Sequence, residues 1–503
     1  MMQDINYQLV GGSYPERSPE LDVQKTVNWY MVEDPNAVKK IAFAPTPGTQ
    51  QIGKNLDSST SPIRQIYSYK NFGLIFVDEK VYSFDQDLDI NFVGTIGSNS
   101  GYIGVCNGSD QIMITDQEGG YVFDFNTGSL SPIADTYFLP NPLSCVYFND
   151  FFLACDVDTN VWQVSVANDA STWTVLGGPN SATISSKADT FVGMGVVNQR
   201  LFLFGNYITE VWYPGVNPQY PQFPFSRDSN SIFEYGCAAT GSIANGDKKD
   251  DGILFWLAAT RNGVGSVMMT DGGKAQRIST PSLDWKIQNY RYVKDAIGFS
   301  YNQDGHIFYQ LTFPTENVTW LADLTVRDEQ GYPTWVNLEL LGEKCHMATC
   351  HTYFLPQGIH IIGSNTGPQI LRLSTLFYTN FALDSDGMGT TEDIIRESIG
   401  TNFYLTNYNR FIINKFEVDF ETGVGLSNNP GQDPKVYLSI SYDYGHTFSD
   451  ACAMGLGKIG EFKYRAYWFG RGISRNFIAK ITVYDPVRTF VMGTSLQINA
   501  CKN

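Results

Sequence analysis

Residues 63–84 read IRQIYSYKNFGLIFVDEKVYSF. They hold three apolar runs, 63–69, 73–77 and 80–84, cut at Lys70-Asn71 and at Asp78-Glu79. Short runs rich in Ile, Val, Tyr and Phe, bounded by turn formers, predict β-strands joined by hairpins, here a three-stranded meander. One meander has two apolar faces and cannot cover both. Packing neighbours face to face around an axis buries them.

The layout recurs at 102–126, 143–165 and 190–215, and more loosely at 237–269, 294–324 and 347–373. Successive starts lie about 40 to 55 residues apart. That period, with about four strands per unit, predicts a β-propeller of six to seven blades over 63–375. Two stacked β-sandwiches also give evenly spaced short strands, but ordered repeats favour the propeller. Residues 1–62 are expected to close or brace it. Pro-rich, aromatic 214–236 reads as an ordered inter-blade loop, and polar, Gly-rich 376–402 as a linker or inserted loop. Longer, alternating strands follow: Phe416, Val418 and Phe420 face one way, Glu417 and Asp419 the other. This predicts a sandwich-like C-terminal β-domain over 403–503, so the fold class is all-β.

Composition agrees. Of 503 residues, 14% are aromatic and only 17% charged, against about a quarter in average soluble proteins. The formal net charge of −17 argues against a surface that grips DNA, because such binding runs on Lys/Arg-driven counterion release. The eight cysteines are scattered and read as free thiols, although Cys145 and Cys155 could face each other across a hairpin turning at Asn149-Asp150. The first twenty residues lack the basic and apolar blocks of a signal peptide. No apolar run is long enough to span a bilayer, so no membrane insertion is expected.

Candidate chemistry is sparse. In SISYDYGHTFSD, 439–450, Ser441, Asp443, Gly445 and Phe448 resemble the Asp-box turn of sialidases. The Asp accepts backbone N–H groups, the Gly permits positive φ, and the aromatic residue plugs the sheet. Sialidase catalysis also needs an arginine triad and an acid–nucleophile set, and the nearest echo is Arg64 in SPIR. The single box therefore reads as a structural turn. CHMATCH offers Cys345, His346, Cys350 and His351 to zinc, but adjacent residues of a strand face opposite sides and cannot converge. Asp156, Asp158 and Asn160, and likewise Asp85, Asp87 and Asp89, hint at calcium loops. Val161 and Ile90 stand where such a loop needs Gly, and Ala167 and Ile96 where it needs Glu. Nucleotide, hydrolase and metalloprotease motifs are missing. No catalytic residue, cofactor or metal is assigned, and the chain reads as non-enzymatic.

The most specific stretch is 200–281. It carries Phe204, Gly205, Glu210, Val211, Trp212 and Tyr213 in FGNYITEVWYPG, then Phe223, Pro224, Phe225 and Arg227 in FPFSR. Gly236 and Cys237 follow, then Arg277, Ile278 and Ser279 in RISTP. These motifs, with TVNWYMVEDP and FAPTPGT near the start, resemble the packaged-DNA stabilisation proteins of short-tailed bacteriophages, also called tail accessory, hub or nozzle proteins. The likeness covers about residues 1–375, and the C-terminal part is similar to segments of tail proteins in several such phages. The resemblance implies a virion tail subunit assembled in the host cytoplasm. It implies a six-fold ring below the adaptor under the portal, closed by a needle or plug and offering a face to tailspikes or fibres. Packaged double-stranded DNA would pass an acidic lumen without tight binding. The rival readings are a receptor- or glycan-binding propeller using aromatics in 207–225, a sialidase-type glycosidase, and a host scaffolding propeller.

Overall fold

The computed structural model describes residues 2–14, 16–53, 56, 61–156, 159–175, 177–184, 186–215, 223–248, 251–328, 330–384 and 386–501. Among these, seven meander sheets follow one another along the chain. Blade I runs from Ile63–Tyr69 to Ile90–Thr95, blade II from Gly104–Asn107 to Ser129–Pro132, and blade III from Pro142–Phe148 to Ser181–Thr183. Blade IV runs from Phe191–Val197 to Phe225–Phe233, blade V from Gly236–Cys237 to Gln276–Arg277, and blade VI from Ile297–Gln303 to Pro333–Asn337. Blade VII takes three strands from Ala348–Phe354 to Ile370–Ser374 and its outermost from far upstream, Gly48–Gln51.

Strand periodicity explains why this order closes on itself. In blade IV, Leu201 and Leu203 pack against blade III with Trp162, while Phe202 and Phe204 pack against blade V with Trp256. In blade I, Phe76 meets Ile112 of blade II, and its neighbour Ile75 meets Phe354 and Ile361 of blade VII. Met113, Phe152 and Trp173 join blades II and III; Phe255, Tyr309 and Trp335 join V and VI; Phe308, Ile362 and Leu371 join VI and VII. Every central strand thus buries both faces, so runs such as LIFV and LFLF are continuously apolar.

The second domain is a β-sandwich with its own core. One sheet runs Trp29–Glu33, Ile41–Pro45, Val491–Ala500, Phe411–Phe420, Ala466–Phe469, with Met2–Asn6 also paired to Val491–Ala500. The facing strands run Lys25–Val27, Arg396–Ile399, Asn476–Val483, Lys435–Ser441, Cys452–Gly455. Tyr7, Trp29, Phe43, Phe416, Phe477 and Leu496 fill the space between. Val27 also bridges Asn337 of blade VI, so that blade and the second sandwich sheet form one ten-stranded sheet. Asn28 pins the joint: its side-chain amide donates to the carbonyls of Glu339 and Ile395, both at 2.8 Å.

Three expected boundaries differ from this arrangement. Within 1–62 Gly48–Gln51 completes the propeller and Tyr30 and Ala44 pack on blades VI and VII, whereas the strands Met2–Asn6, Trp29–Glu33 and Ile41–Pro45 pair in the sandwich. Residues 376–402, read as a linker, contain the hairpin Thr379–Leu383/Gly389–Asp393 and the sandwich strand Arg396–Ile399. Of the loop expected at 214–236, residues 216–222 lie outside the described residues, and Phe225–Phe233 is the outer strand of blade IV. The strands before Gly48 and Arg396–Ile399 pair with partners distant in sequence, whereas Thr379–Leu383 and Phe225–Phe233 pair locally and were hidden by polar or Pro-rich composition.

Arg396 is an anomaly in this joint. It is fully buried across the ladder from Val483, and all three guanidinium nitrogens lack a hydrogen-bond partner among the described residues. Burial holds its pKa down, to about 10. A buried unpaired cation costs several kcal/mol, and apolar replacement of buried charge is often stabilising. Arg396→Met is expected to raise unfolding stability by about 1–4 kcal/mol. A denaturation curve showing a clear loss instead would mean that the guanidinium makes a favourable contact.

Candidate functional site

The innermost strands of the blades line the propeller axis. A cavity of about 640 Å³ lies there, lined among others by Arg64, Gln117, Asn245, Asp295, Ser300 and His351. Arg64 is committed to the scaffold: its guanidinium donates to the carbonyls of Asp78 at 2.6 Å, Ser98 at 2.8 Å and Ser100 at 2.7 Å, tying blade I to the segment entering blade II. A neighbouring cavity of about 850 Å³ holds Asn302, Asp304, Tyr353, His360 and Arg372. His351 Nε2 lies 3.0 Å from His360 Nδ1, and burial pushes both histidines below the ordinary range, His351 to about 3. The sequence reading singled out His351 but missed His360. The hairpin register, Tyr353 opposite His360, is the signal that brings them together.

The other CHMATCH residues scatter. Cys345 is half-buried, and Cys350 packs between blades VII and I. His346 is buried, its Nδ1 accepting from Ala348 N at 3.2 Å, and burial lowers its pKa to about 4. A proton on Nδ1 would remove that acceptor. The unfolded chain takes up this proton near pH 6.5 and the folded chain does not, so stability falls as pH drops from 6.5 towards 4. The slope is up to about 1.4 kcal/mol per pH unit per histidine. Asp22, Asp284, Glu392 and Asp393, whose pKa values burial raises, act in the opposite sense. His346→Gln is therefore expected to flatten the loss measured by denaturant unfolding between pH 6.5 and 4.5. An unchanged slope would contradict the assignment.

The motif residues of 200–281 form a packing node through blades IV to VI. Glu210 is fully buried. It accepts from Ser186 N at 2.8 Å and Trp212 Nε1 at 3.0 Å, and lies 3.5 Å from the Arg227 guanidinium. Trp212 sits edge-on to Trp162 of blade III with ring centroids 5.2 Å apart. Phe223 packs on the same Trp162, Phe225 stacks on Phe148, and Pro224 is buried. Phe204 and Val211 face blade V. Gly236 lies so close to Gly205 that a Cβ would stand 2.1 Å from the Gly205 carbonyl oxygen. The Cys237 thiol, pushed up to about 11 by burial, points at Ala239 O, 3.1 Å away. Ser279 Oγ accepts from Val267 N and donates to Asp284, which Arg277 also pairs with at 3.3 Å. Ile278 offers its carbonyl to Trp335 Nε1 of blade VI at 2.9 Å. Thr280 then caps the helix Pro281–Gln288. Tyr213 and Tyr207 are the exposed aromatics of this stretch, whereas Trp212 and Phe225 are buried.

The remaining candidates are turns. Asp443 Oδ1 accepts from Ser441 Oγ at 2.7 Å and Thr447 N at 2.9 Å, and its Oδ2 from Thr447 Oγ1 at 2.6 Å. These bonds, the Thr447 hydroxyl foremost, lower its pKa to about 2. Gly445 has φ +89°, and a Cβ there would stand 2.9 Å from Val23. Phe448 does not plug the sheet as expected. It is half-buried, with Lys480 Nζ 5.0 Å from its ring centre. Asp85 accepts from the backbone N of Asp87 and of Asp89, each at 3.0 Å, closing a hairpin. Asp156 ends a strand in blade III, and Asp158 lies outside the described residues. Cys145 and Cys155 do not meet across their hairpin. Cys145 pairs with Ala154 and faces blade II, while Cys155 faces blade IV, and both thiols are free.

Comparison with known families gives two adjoining matches. A model described as "Bacteriophage P22 Gp10, beta-propeller" matches residues 5–376, and one described as "Bacteriophage P22 Gp10, beta-sandwich" matches 398–499. No curated protein matches. Similar solved structures include the computationally designed Ika8 protein, 10% identical, covering 64% of this chain and 99% of that one at TM-score 0.38. Another is of the Mitotic Checkpoint Complex, 10% identical, covering 68% of this chain and 94% of that one at TM-score 0.40.

Proposed function

The chain belongs to the bacteriophage P22 Gp10 family, and from that premise we propose that it works as a ring-forming tail hub or nozzle. As a member it is a phage stabilisation protein and tail component, of a structural family rather than one of enzymes. In the proposed role, copies form a ring, of six subunits in our reading, below the portal–adaptor complex. They help retain packaged DNA in the head and conduct it at ejection. The partners are further copies, the adaptor or head-completion protein, a needle or plug at the tip, and tailspikes or fibres at the side.

The observation that carries this reading is the pair of family matches, which take in both domains. The physics is consistent with it. A sheet shared by propeller and sandwich makes a stiff unit that transmits load without a hinge, and a net charge of −17 disfavours adhesion of a moving polyanion. Electron microscopy of the purified chain with its adaptor should show rings with a central opening. A chain that stays monomeric and ignores portal–adaptor complexes would defeat the proposal. The glycan-binding alternative rests on exposed Tyr207 and Tyr213, and a glycan array would reveal it.

A further inference from the structure

The outer face of the sandwich carries exposed apolar side chains. Three register pairs place them side by side: Ile412 with Ile473, Lys415 with Phe469, and Glu417 with Tyr467. Phe469 is 61% exposed and Ile473 59%, unlike the inward Phe416 and Trp468 of the same strands. Ala466–Phe469 also ends its sheet, so one backbone edge has no ladder partner among the described residues. Exposed apolar edge strands are templates for association, and proteins normally blunt them.

Charge identifies the occupant. The sandwich, residues 1–47 with 396–503, holds sixteen Lys and Arg against fifteen Asp and Glu, net +1, so residues 48–395, at a chain total of −17, carry −18. Arg465, with a side chain 74% exposed and its guanidinium 3.7 Å from Glu417, borders the apolar face. The segment 461–475 beside the apolar face is locally basic, with Lys463, Arg465, Arg471 and Arg475 against Glu461 alone, while the propeller is strongly acidic, so this edge fits the other domain of another copy.

We propose that the sandwich face along Ala466–Phe469 docks on the acidic propeller exterior of a second copy. This rests on the ring reading and deepens it. Sandwich-on-propeller contact is heterologous, and such contacts propagate from copy to copy until a rotation closes the ring.

The test compares ring formation by the wild-type chain with that of Phe469→Ser/Ile473→Ser and of Arg465→Glu, using mass photometry and negative-stain imaging with the adaptor. Unfolding midpoints of the variants should stay near wild type, since all three sites are exposed. If the serine pair proves destabilised, Arg465→Glu still reads the interface, provided that its unfolding midpoint shows that loss of the Glu417 pair leaves the fold intact. Each variant is expected to weaken ring assembly roughly tenfold or more. Wild-type assembly should also weaken as salt rises. Variants that assemble like wild type overturn this interface and leave the ring reading standing. So do variants that form normal rings but lose a tailspike, fibre or DNA. A wild-type chain that never associates overturns both.

Discussion

Glu210→Ala is expected to destabilise the propeller by about 2–6 kcal/mol, the cost of stranding the two buried donors that its carboxylate satisfies. The carboxylate is fully buried, and its loss strands two donors, Ser186 N and Trp212 Nε1. Each stranded buried donor costs about 1–3 kcal/mol. Arg227 also loses its contact with Glu210, but that side chain is 32% exposed and water can take over part of its solvation. Arg227→Ala should therefore cost less than Glu210→Ala. Glu210→Gln should fall between, because its amide NH₂ would have to face an N–H donor at one of the two contacts. Chemical denaturation of the three variants gives the ranking. A loss below about 1 kcal/mol for Glu210→Ala would mean that the node is not held by this carboxylate.

That residue shows where the sequence is legible and where it is not. Central strands such as LIFV at 74–77 and LFLF at 201–204 were readable because both faces are buried and short apolar runs between turns record that directly. Blade order was readable for the same reason. Glu210 stood out only through the likeness of its motif to a family. A lone acid in an apolar strand does not reveal that it points at a backbone N–H and an indole N–H, because those donors are set by the packing of Ser186 and Trp212. The His351–His360 contact was equally hidden, since hairpin register decides it.

The sandwich was half legible. The alternation at 416–420 gave one of its faces, and Phe416, Val418 and Phe420 do point into the core. Its other contributors, Tyr7, Trp29 and Phe43, lie more than 350 residues upstream, in the segment read as closing or bracing the propeller. Nothing local distinguishes an aromatic that braces a blade from one that fills a distant domain. The consequence is mechanical. Because sandwich strands lie on both sides of the propeller in sequence, and Val27 joins blade VI to the second sandwich sheet, one continuous sheet spans both domains.

Ring closure within the subunit depends on the same long-range pairing, and Gly48→Val is expected to open it. The closing strand is only four residues, GTQQ, with no apolar alternation, which is why it escaped a reading by pattern. It is held by register with Leu371 to Ser374, by Ile52 N to Ile370 O at 3.0 Å, and by Phe381 N to Thr49 Oγ1 at 2.9 Å. Glycine is required by proximity: a Cβ at 48 would lie 2.4 Å from the Thr379 carbonyl oxygen and 2.7 Å from that of Phe377. Neither is the end of a flexible side chain, so the strand or the 377–379 backbone must move. Overpacking of this kind costs about 1–3 kcal/mol through distortion alone, and losing the strand's bonds adds to it. A local loss near 3 kcal/mol corresponds to roughly hundredfold faster amide exchange. That acceleration is expected in 48–52 and 370–374, while the central strand Phe151–Asp156 of blade III keeps its protection. Uniform acceleration across all blades would show instead that the propeller unfolds as a single unit, and unchanged exchange would show that the closing strand is not what seals blade VII.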